Sequence, residues 1–294
     1  MKTTRRDLLA HSISAAVTAS VTASLTTEVA ASQVNGQATA IEKFVRFQAG
    51  SATSYGIVTG GSVEAIHGDL FGAHKKTGSK HKLSAVKLLV PCTPSKVLAV
   101  GLNYKTHIGS RKLPSVPEIF YKPITCLQNP GDPILIPKDS QNTHYEGELV
   151  IVMGRKASHI SAAEAKSAIF GVCCGNDVSE RDWQGGPNKD LQWWRAKGAD
   201  TFGPLGPMIV RGIDYGNVML QTRLNGVVVQ KSSTSDLLFD CHAIVSYISQ
   251  YVTLVPGDVI YTGTPGSTKK MSPADVVEVE IDGVGILRNP IAAA

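Results

Sequence analysis

The chain has 294 residues, of which 43% are hydrophobic and 18% are charged, a balance typical of globular proteins and not of disordered ones. Its formal net charge of +5 is mild for this length, which argues against nucleic acid as the main partner. No apolar run reaches the ~18 residues that a membrane-spanning helix needs, so we expect no membrane span.

The first segment, residues 1–31, is expected to be an export signal. The twin arginine Arg5-Arg6 precedes a weakly apolar stretch, and Val29 and Ala31 have the −3 and −1 spacing of a signal-peptidase site. This pattern resembles a twin-arginine signal and predicts an exported, periplasmic protein. A Ser-rich, acid-poor organelle transit peptide is the alternative, and a chain whose signal is not used would stay in the cytoplasm.

The next segment, residues 41–93, is predicted to form a small N-terminal β domain. Residues 41–71 alternate apolar and polar side chains around a Gly-Gly turn, which is typical of a β-meander. Residues 72–83 are rich in lysine, and we interpret them as a solvated loop. A phosphate- or nucleic-acid-binding patch is the alternative, although the segment lacks the spacing of a phosphate loop. Pro91 and Pro94 bracket the boundary with the main body.

Residues 94–292 are predicted to form a β-rich α+β body. Residues 161–170 carry a helix signal in which Ser161 and Glu164 form a capping box. Residues 235–252 carry an apolar stripe at helical spacing. Apolar, β-branched runs between glycine and proline turns predict strands at residues 97–100, 134–136, 149–153, 208–210, 227–229 and 276–281.

Two carboxylates, Glu146 and Glu148, lead into the apolar strand of residues 149–153. Residues two apart on a strand point to the same face, so these like charges repel at the mouth of a buried strand. A bound cation would resolve this conflict, and an exposed strand end with two solvated acids is the alternative. Asp177 follows a second apolar run. Three carboxylates without histidine or cysteine select a hard cation, Mg²⁺ or Mn²⁺, or else Ca²⁺.

Three further segments hold candidate catalytic or binding groups. His107 follows a strand end and precedes a proline-studded loop, which fits either a general base on a lid or an ordinary surface histidine. Lys197 lies between an apolar residue and a glycine, where it fits carboxylate binding or oxyanion stabilisation. Thr264 lies in the tight turn YTGTPGS, which presents a hydroxyl and backbone N–H groups.

Seven motifs follow one another along the chain: GLNYKTH, FYKP, YEGELVIVMG, GNDVSERDWQ, AKGADTFGPLGP, RLNGVVVQ and PGDVIYTGTP. In this order they resemble the fumarylacetoacetate hydrolase family, specifically its shorter, bacterial-type members, over residues 94–290. The resemblance implies a mixed β-sandwich or roll catalytic domain, a small N-terminal β domain and a homodimer.

The resemblance also implies an activity. Glu146, Glu148 and Asp177 fall on the family's ligands for Mg²⁺ or Mn²⁺, Lys197 on its catalytic lysine and His107 on its water-activating histidine. The implied reaction is hydrolysis of a C–C bond in a 1,3-diketo or 2-oxo acid, of acylpyruvate or fumarylpyruvate type, through a metal-stabilised enolate. An isomerase or decarboxylase of the same substrate class is the alternative. The implied substrate-binding residues are Arg181, Gln184, Thr264 and Lys122.

Position 110 departs from the family pattern. Family hydrolases place an acid three residues after the histidine, but this chain has Ser110 there and no acid before Glu118. A neutral partner does not raise the basicity of His107 as a carboxylate does, so water activation is expected to be weaker. We keep Ser110 as a candidate catalytic partner of His107. The alternative is a catalytically impaired relative that binds a metal and a carboxylate.

Overall fold

Strands dominate residues 40–294, the part of the chain that this computed structural model describes. The predicted export signal lies outside the described residues and stays a prediction. No helix of the described part is long and apolar enough to cross a membrane. The strands are β1 (Glu42–Ala49), β2 (Ala52–Thr59), β3 (Ser62–Gly68), β4 (His74–Lys82), β5 (Lys87–Leu89), β6 (Val97–Gly101), β7 (Glu118–Lys122), β8 (Leu127–Gln128), β9 (Ile134–Ile136), β10 (Thr143–His144), β11 (Gly147–Met153), β12 (Ile169–Asn176), β13 (Ser179–Glu180), β14 (Gly203–Arg211), β15 (Met219–Leu224), β16 (Val227–Ser233), β17 (Val259–Tyr261), β18 (Val276–Ile281) and β19 (Gly285–Ala293). The helices are α1 (Lys105–Ile108), α2 (Ala162–Ala168), α3 (Arg181–Gly185), α4 (Trp194–Gly198) and α5 (Cys241–Ser249).

Twelve of the described strands form one mixed sheet. Its main order is β4-β3-β2-β1-β14-β12-β11-β17-β6-β7, with β5 beside β1 and β8 beside β14. Five more strands form a second sheet in the order β16-β15-β18-β19-β9, and β10 pairs with β13. The predicted β-rich α+β fold is confirmed. The N-terminal strands join the main body through β1, in which Phe44 lies opposite Ile209 of β14, and the domain boundary between residues 93 and 94 stays a prediction.

Strand β11 lies between two hydrophobic clusters. Its residues Leu149, Ile151 and Met153 pack with α2, α5 and the five-stranded sheet. Val150 and Val152 pack on the opposite face against strands β14 and β17. Because both faces are buried, the strand is apolar at every position after Glu148, as buried strands generally are.

The predicted β-meander is confirmed by β1, β2 and β3, but the lysine-rich segment is not the loop that we expected. Residues 74–82 form β4, which pairs with β3 and lies at the edge of the large sheet. Most of its side chains are exposed, so it lacks the apolar alternation that would indicate a strand. Lysines on an edge strand discourage pairing with other chains.

The two predicted helices have different outcomes. The capping box of Ser161 and Glu164 starts α2, which confirms the first. The second was predicted over residues 235–252, but α5 begins only at Cys241. Leu238 instead donates its N–H to the Asn103 carbonyl and holds this stretch against the loop before α1. Helices α1, α3 and α4 are four or five residues long, too short to show a helical period.

Gly175 of β12 provides a test of this packing. A Cβ atom there would lie 2.4 Å from Val150 Cγ2 and 2.6 Å from Tyr261 Cε1. We expect Gly175→Ala to lower the free energy of unfolding by about 1–3 kcal/mol, because a close-packed core does not absorb an extra methyl group. Urea unfolding measures the change. Gly101→Ala in β6 is the control, since its Cβ meets nothing closer than 3.8 Å, and equal losses in both variants would contradict the packing described.

Candidate active site

The three predicted metal ligands come together where two neighbouring strands meet. Glu146 directly precedes β11, Glu148 is the second residue of β11, and Asp177 directly follows β12. Antiparallel pairing, with Gly147 opposite Asn176, brings the start of β11 beside the end of β12. One oxygen from each carboxylate lies within 4.8 Å of the others, and all three residues are buried. We refer to Glu146, Glu148 and Asp177 as the carboxylate cluster.

Two lysines contact the carboxylate cluster. Lys197 of α4 donates from Nζ to Glu146 Oε2 at 2.6 Å and to Asp177 Oδ2 at 2.7 Å. Lys122 of β7 donates to Asp177 Oδ1 at 2.6 Å and to the Phe202 carbonyl at 3.2 Å, and it is buried. Lys122 was expected to bind substrate, but it does not line the cavity described below. Its position indicates that it holds Asp177 in place.

Arg181 begins α3 and contacts Glu146. Its guanidinium also donates to Gln184 Oε1 and to the Thr268 hydroxyl, each at 2.7 Å. The preceding residue, Glu180, is fully buried, and its carboxylate caps this short helix. The structure therefore places Arg181 and Gln184 at the site, as the resemblance implies. Thr268 carries no sequence signal, because a lone threonine in a loop is common.

Glu148 is the member of the carboxylate cluster that makes no ion pair within residues 40–294. Its Oε2 accepts the Gly263 backbone N–H at 2.6 Å. Burial, followed by the charges of Asp177 and Glu146, raises the pKa of Glu148 well above its usual value. Burial acts on Glu146 too, but nearby cations, Arg181 foremost, lower its pKa overall. Three buried carboxylates, one of which pairs with no described cation, therefore form a donor set that fits a hard divalent cation.

His107 of α1 faces the carboxylate cluster. Its Nδ1 lies 2.7 Å from the Gly266 carbonyl, and because a carbonyl only accepts, Nδ1 carries the proton of the neutral ring. The unprotonated Nε2 lies 3.9 Å from Glu146 Oε1. Burial lowers the pKa of His107, and Glu146 only partly opposes this effect. Ser110, the expected partner, is exposed, lies outside the cavity lining and has no hydrogen bond to His107 in the described chain.

Thr264 lies at the site, but the protein already engages its hydroxyl. The hydroxyl donates to the Gly147 carbonyl at 2.9 Å and accepts from Gln230 Nε2 at 2.8 Å. Gln230 accepts the Gly147 N–H at 3.1 Å. A Cβ atom on Gly147 would lie 2.0 Å from Thr222 Oγ1, so only glycine fits between the two glutamates without movement. Both Gln230 and Gly147 lie in motifs quoted above, but their contact with each other depends on the fold.

The carboxylate cluster lies in the lining of a cavity of 490 Å³, which is large enough for a small organic acid. Its apolar wall includes Phe120 and Trp193, whose rings meet edge to face with centroids 5.5 Å apart. Of the candidate site residues, Ser110 and Lys122 lie outside the lining. The polar side chains of the lining are His107, Arg111, Glu146, Glu148, Asp177, Arg181, Gln184, Lys197, Thr264 and Thr268.

Comparison with known proteins gives matches along most of the chain. The fumarylacetoacetate (FAA) hydrolase C-terminal family matches residues 96–292, and the Rv2993c-like N-terminal family matches residues 42–91. A mitochondrial oxaloacetate tautomerase of Xenopus laevis is 39% identical over 221 residues, which are 71% of this chain and 69% of the relative. A 5-carboxymethyl-2-hydroxymuconate delta-isomerase structure from Mycobacterium smegmatis is 41% identical, with a TM-score of 0.80, over 86% of this chain and 100% of that one. A maleylpyruvate hydrolase structure from Sphingobium, in complex with manganese and pyruvate, is 25% identical, with a TM-score of 0.71, over 86% of this chain and 99% of that one.

The C-terminal family match includes every residue of the cavity lining. The relatives bear the names of a tautomerase, an isomerase and a hydrolase, which supports an enzyme without selecting one reaction. From its motifs, its fold and these matches, the chain belongs to the fumarylacetoacetate hydrolase family, as one of its shorter, bacterial-type members.

Proposed function

We propose that the protein is a divalent-metal-dependent enzyme that interconverts the keto and enol forms of a small 2-oxo or 1,3-diketo acid. The observation that carries this proposal is the fixed ring of His107, whose Nδ1 is held by the Gly266 carbonyl and whose Nε2 faces the carboxylate cluster. Keto–enol isomerisation needs one base that takes a proton from carbon and returns it to oxygen. It does not need an acid at position 110.

The carboxylate cluster would hold the cation. Mg²⁺ and Mn²⁺ prefer such carboxylate oxygens, and Ca²⁺ shares this preference. When bound, the ion supplies Lewis-acid stabilisation of negative charge on the substrate oxygens. The absence of an ion pair at Glu148 within the described residues supports this assignment.

The charges around the cluster support an anionic substrate. Its carboxylates contact three cations, Lys122, Lys197 and Arg181, so these charges balance before any metal binds. A divalent ion would add two positive charges to this buried group. Buried charge is costly unless a counter-ion accompanies it. A dianionic oxo acid provides that counter-ion.

The side chains of the cavity supply the remaining roles. His107 Nε2 takes the proton from the carbon beside the carbonyl group, and Glu146 stabilises the imidazolium that forms. The same proton then passes to the carbonyl oxygen, so no other reactant is needed. Lys197 and Arg181 lie in the same cavity and stabilise negative charge as it develops on that oxygen.

Hydrolysis of a C–C bond is the second candidate. The free Nε2 of His107 favours it as well, because the same atom can activate a water molecule. We place it second because Ser110 is exposed and supplies no carboxylate. Decarboxylation of the same substrate class would release CO₂. A binding protein without catalysis would change neither the substrate's absorbance nor its carbon skeleton.

We also propose a homodimer. Its support is an apolar surface beside the cavity wall, where Leu191, Trp194 and Tyr121 are 96%, 65% and 55% exposed. Exposed large apolar side chains grouped in this way mark interaction sites. Light scattering in solution should give the mass of two chains, and the mass of one chain would contradict the proposal.

Glu148→Gln separates metal binding from folding. Calorimetric titration with Mg²⁺ or Mn²⁺ should show at least about a 100-fold loss of affinity, because a neutral amide replaces a ligand carboxylate. The variant's melting temperature in metal-free buffer should stay the same or rise, because a buried like charge is removed. Glu278→Gln, which alters an ion pair of the surface residue Arg288, is the control. Unimpaired metal binding by Glu148→Gln would exclude the carboxylate cluster as the metal site.

His107→Gln tests the base. We expect the rate of enol formation, followed by ultraviolet absorbance on oxaloacetate and acylpyruvates, to fall by about 100-fold or more, as loss of a general base typically does. Ser110→Ala is the matched control on the same loop and should keep the wild-type rate, because Ser110 lies outside the cavity. A rate for His107→Gln within twofold of wild type would contradict the assignment of His107.

A further inference from the structure

Arg111 lines the cavity but takes no part in the ion pairs of the carboxylate cluster. Its Nε donates to the Ile108 carbonyl at 2.9 Å and its Nη2 to the His107 carbonyl at 2.8 Å. Within residues 40–294 its Nη1 has no hydrogen-bond partner, and its guanidinium forms no ion pair. These contacts fix the side chain and leave one edge of the guanidinium available.

Arg111 differs in this respect from the other permanent cations of the lining. Arg181 and Lys197 both pair with Glu146, whereas Arg111 presents a positive charge that no described carboxylate neutralises. A guanidinium binds a carboxylate through two parallel hydrogen bonds, and it stays charged at every physiological pH. An anionic group on the ligand is therefore the partner that this edge fits.

The anchoring of Arg111 relates it to the proposed base. The carbonyl that accepts from Nη2 belongs to His107, so the guanidinium is tied to the same turn as the imidazole. The imidazole Nε2 points to the carboxylate cluster, 3.9 Å from Glu146 Oε1. A substrate can place its oxo-acid end at the carboxylate cluster and its reacting carbon at His107. Its distal end is then free to contact Arg111.

We propose that Arg111 is a specificity-determining residue that binds a second, distal carboxylate, so that the enzyme prefers oxo dicarboxylic acids to oxo monocarboxylic acids. This inference rests on the proposed function and names its substrate class. The competing role is purely structural. In that role, Arg111 only donates hydrogen bonds to carbonyl groups at the end of α1, the helix that Gly109 ends with a φ of 64°. A structural role affects every substrate equally.

The test compares oxaloacetate with acetylpyruvate. Both are 2-oxo acids that enolise at the CH₂ carbon beside the oxo group. In acetylpyruvate, a methyl group replaces one oxygen of the distal carboxylate of oxaloacetate. In the Mg²⁺-loaded enzyme, Arg111→Gln should lower kcat/KM for oxaloacetate by about 10- to 100-fold. This is the decrease expected when one charge-assisted hydrogen bond to the substrate is lost. For acetylpyruvate it should change kcat/KM by less than twofold. Arg111→Lys should recover part of the loss, because it keeps the charge without the planar fork.

Lys112→Gln is the control for general electrostatic attraction, since Lys112 is exposed and does not line the cavity. It should affect neither substrate. Calorimetric dissociation constants for both acids give the same comparison without turnover, so the specificity can be measured even if the proposed isomerisation is not observed. An equal loss for both acids, no loss for either, or failure of both to bind the wild type would overturn the role of Arg111.

Discussion

Mutual repulsion within the carboxylate cluster is the constraint on which this site depends. Its three carboxylates have oxygens within 4.8 Å of one another and are removed from water, so they destabilise the fold unless positive charge accompanies them. Lys197 and Lys122 supply that charge to Asp177, and Lys197 and Arg181 supply it to Glu146. Glu148 receives only a backbone N–H. A divalent ion at this position would therefore pair with Glu148, and an anionic substrate would offset the positive charge that the ion adds.

The large sheet gives the cluster its rigidity. Strand β11 is hydrogen-bonded on both sides, by β12 and β17, and hydrophobic clusters cover both of its faces. Its first residues cannot move without disturbing that core. Gly147 adds to this rigidity through its close contact with Thr222. The more exposed α1 loop carries His107 and Arg111, so the proposed roles in substrate selection and in metal binding fall on different parts of the fold.

Much of the site was predictable from the sequence because its signals are local. Apolar runs indicated β11 and the strand before Asp177, and the shared face of Glu146 and Glu148 followed from strand geometry. The roles of Lys197, Arg181 and Gln184 were implied by the family resemblance. The position of Lys122 was not predictable, because a motif gives the type of a side chain but not whether it points into the cavity or into the core. The acceptor of the His107 proton is a backbone carbonyl 159 residues away, and backbone groups leave no mark in a sequence. Strand β4 was missed because an exposed edge strand lacks the alternation that indicates a strand.

Diffraction from Mn²⁺-soaked crystals at the manganese absorption edge is the most direct test of the metal site. The expected result is one anomalous peak among the carboxylate oxygens of Glu146, Glu148 and Asp177. No peak at this position, or a peak elsewhere in the cavity, would contradict the assignment of these residues as the metal ligands.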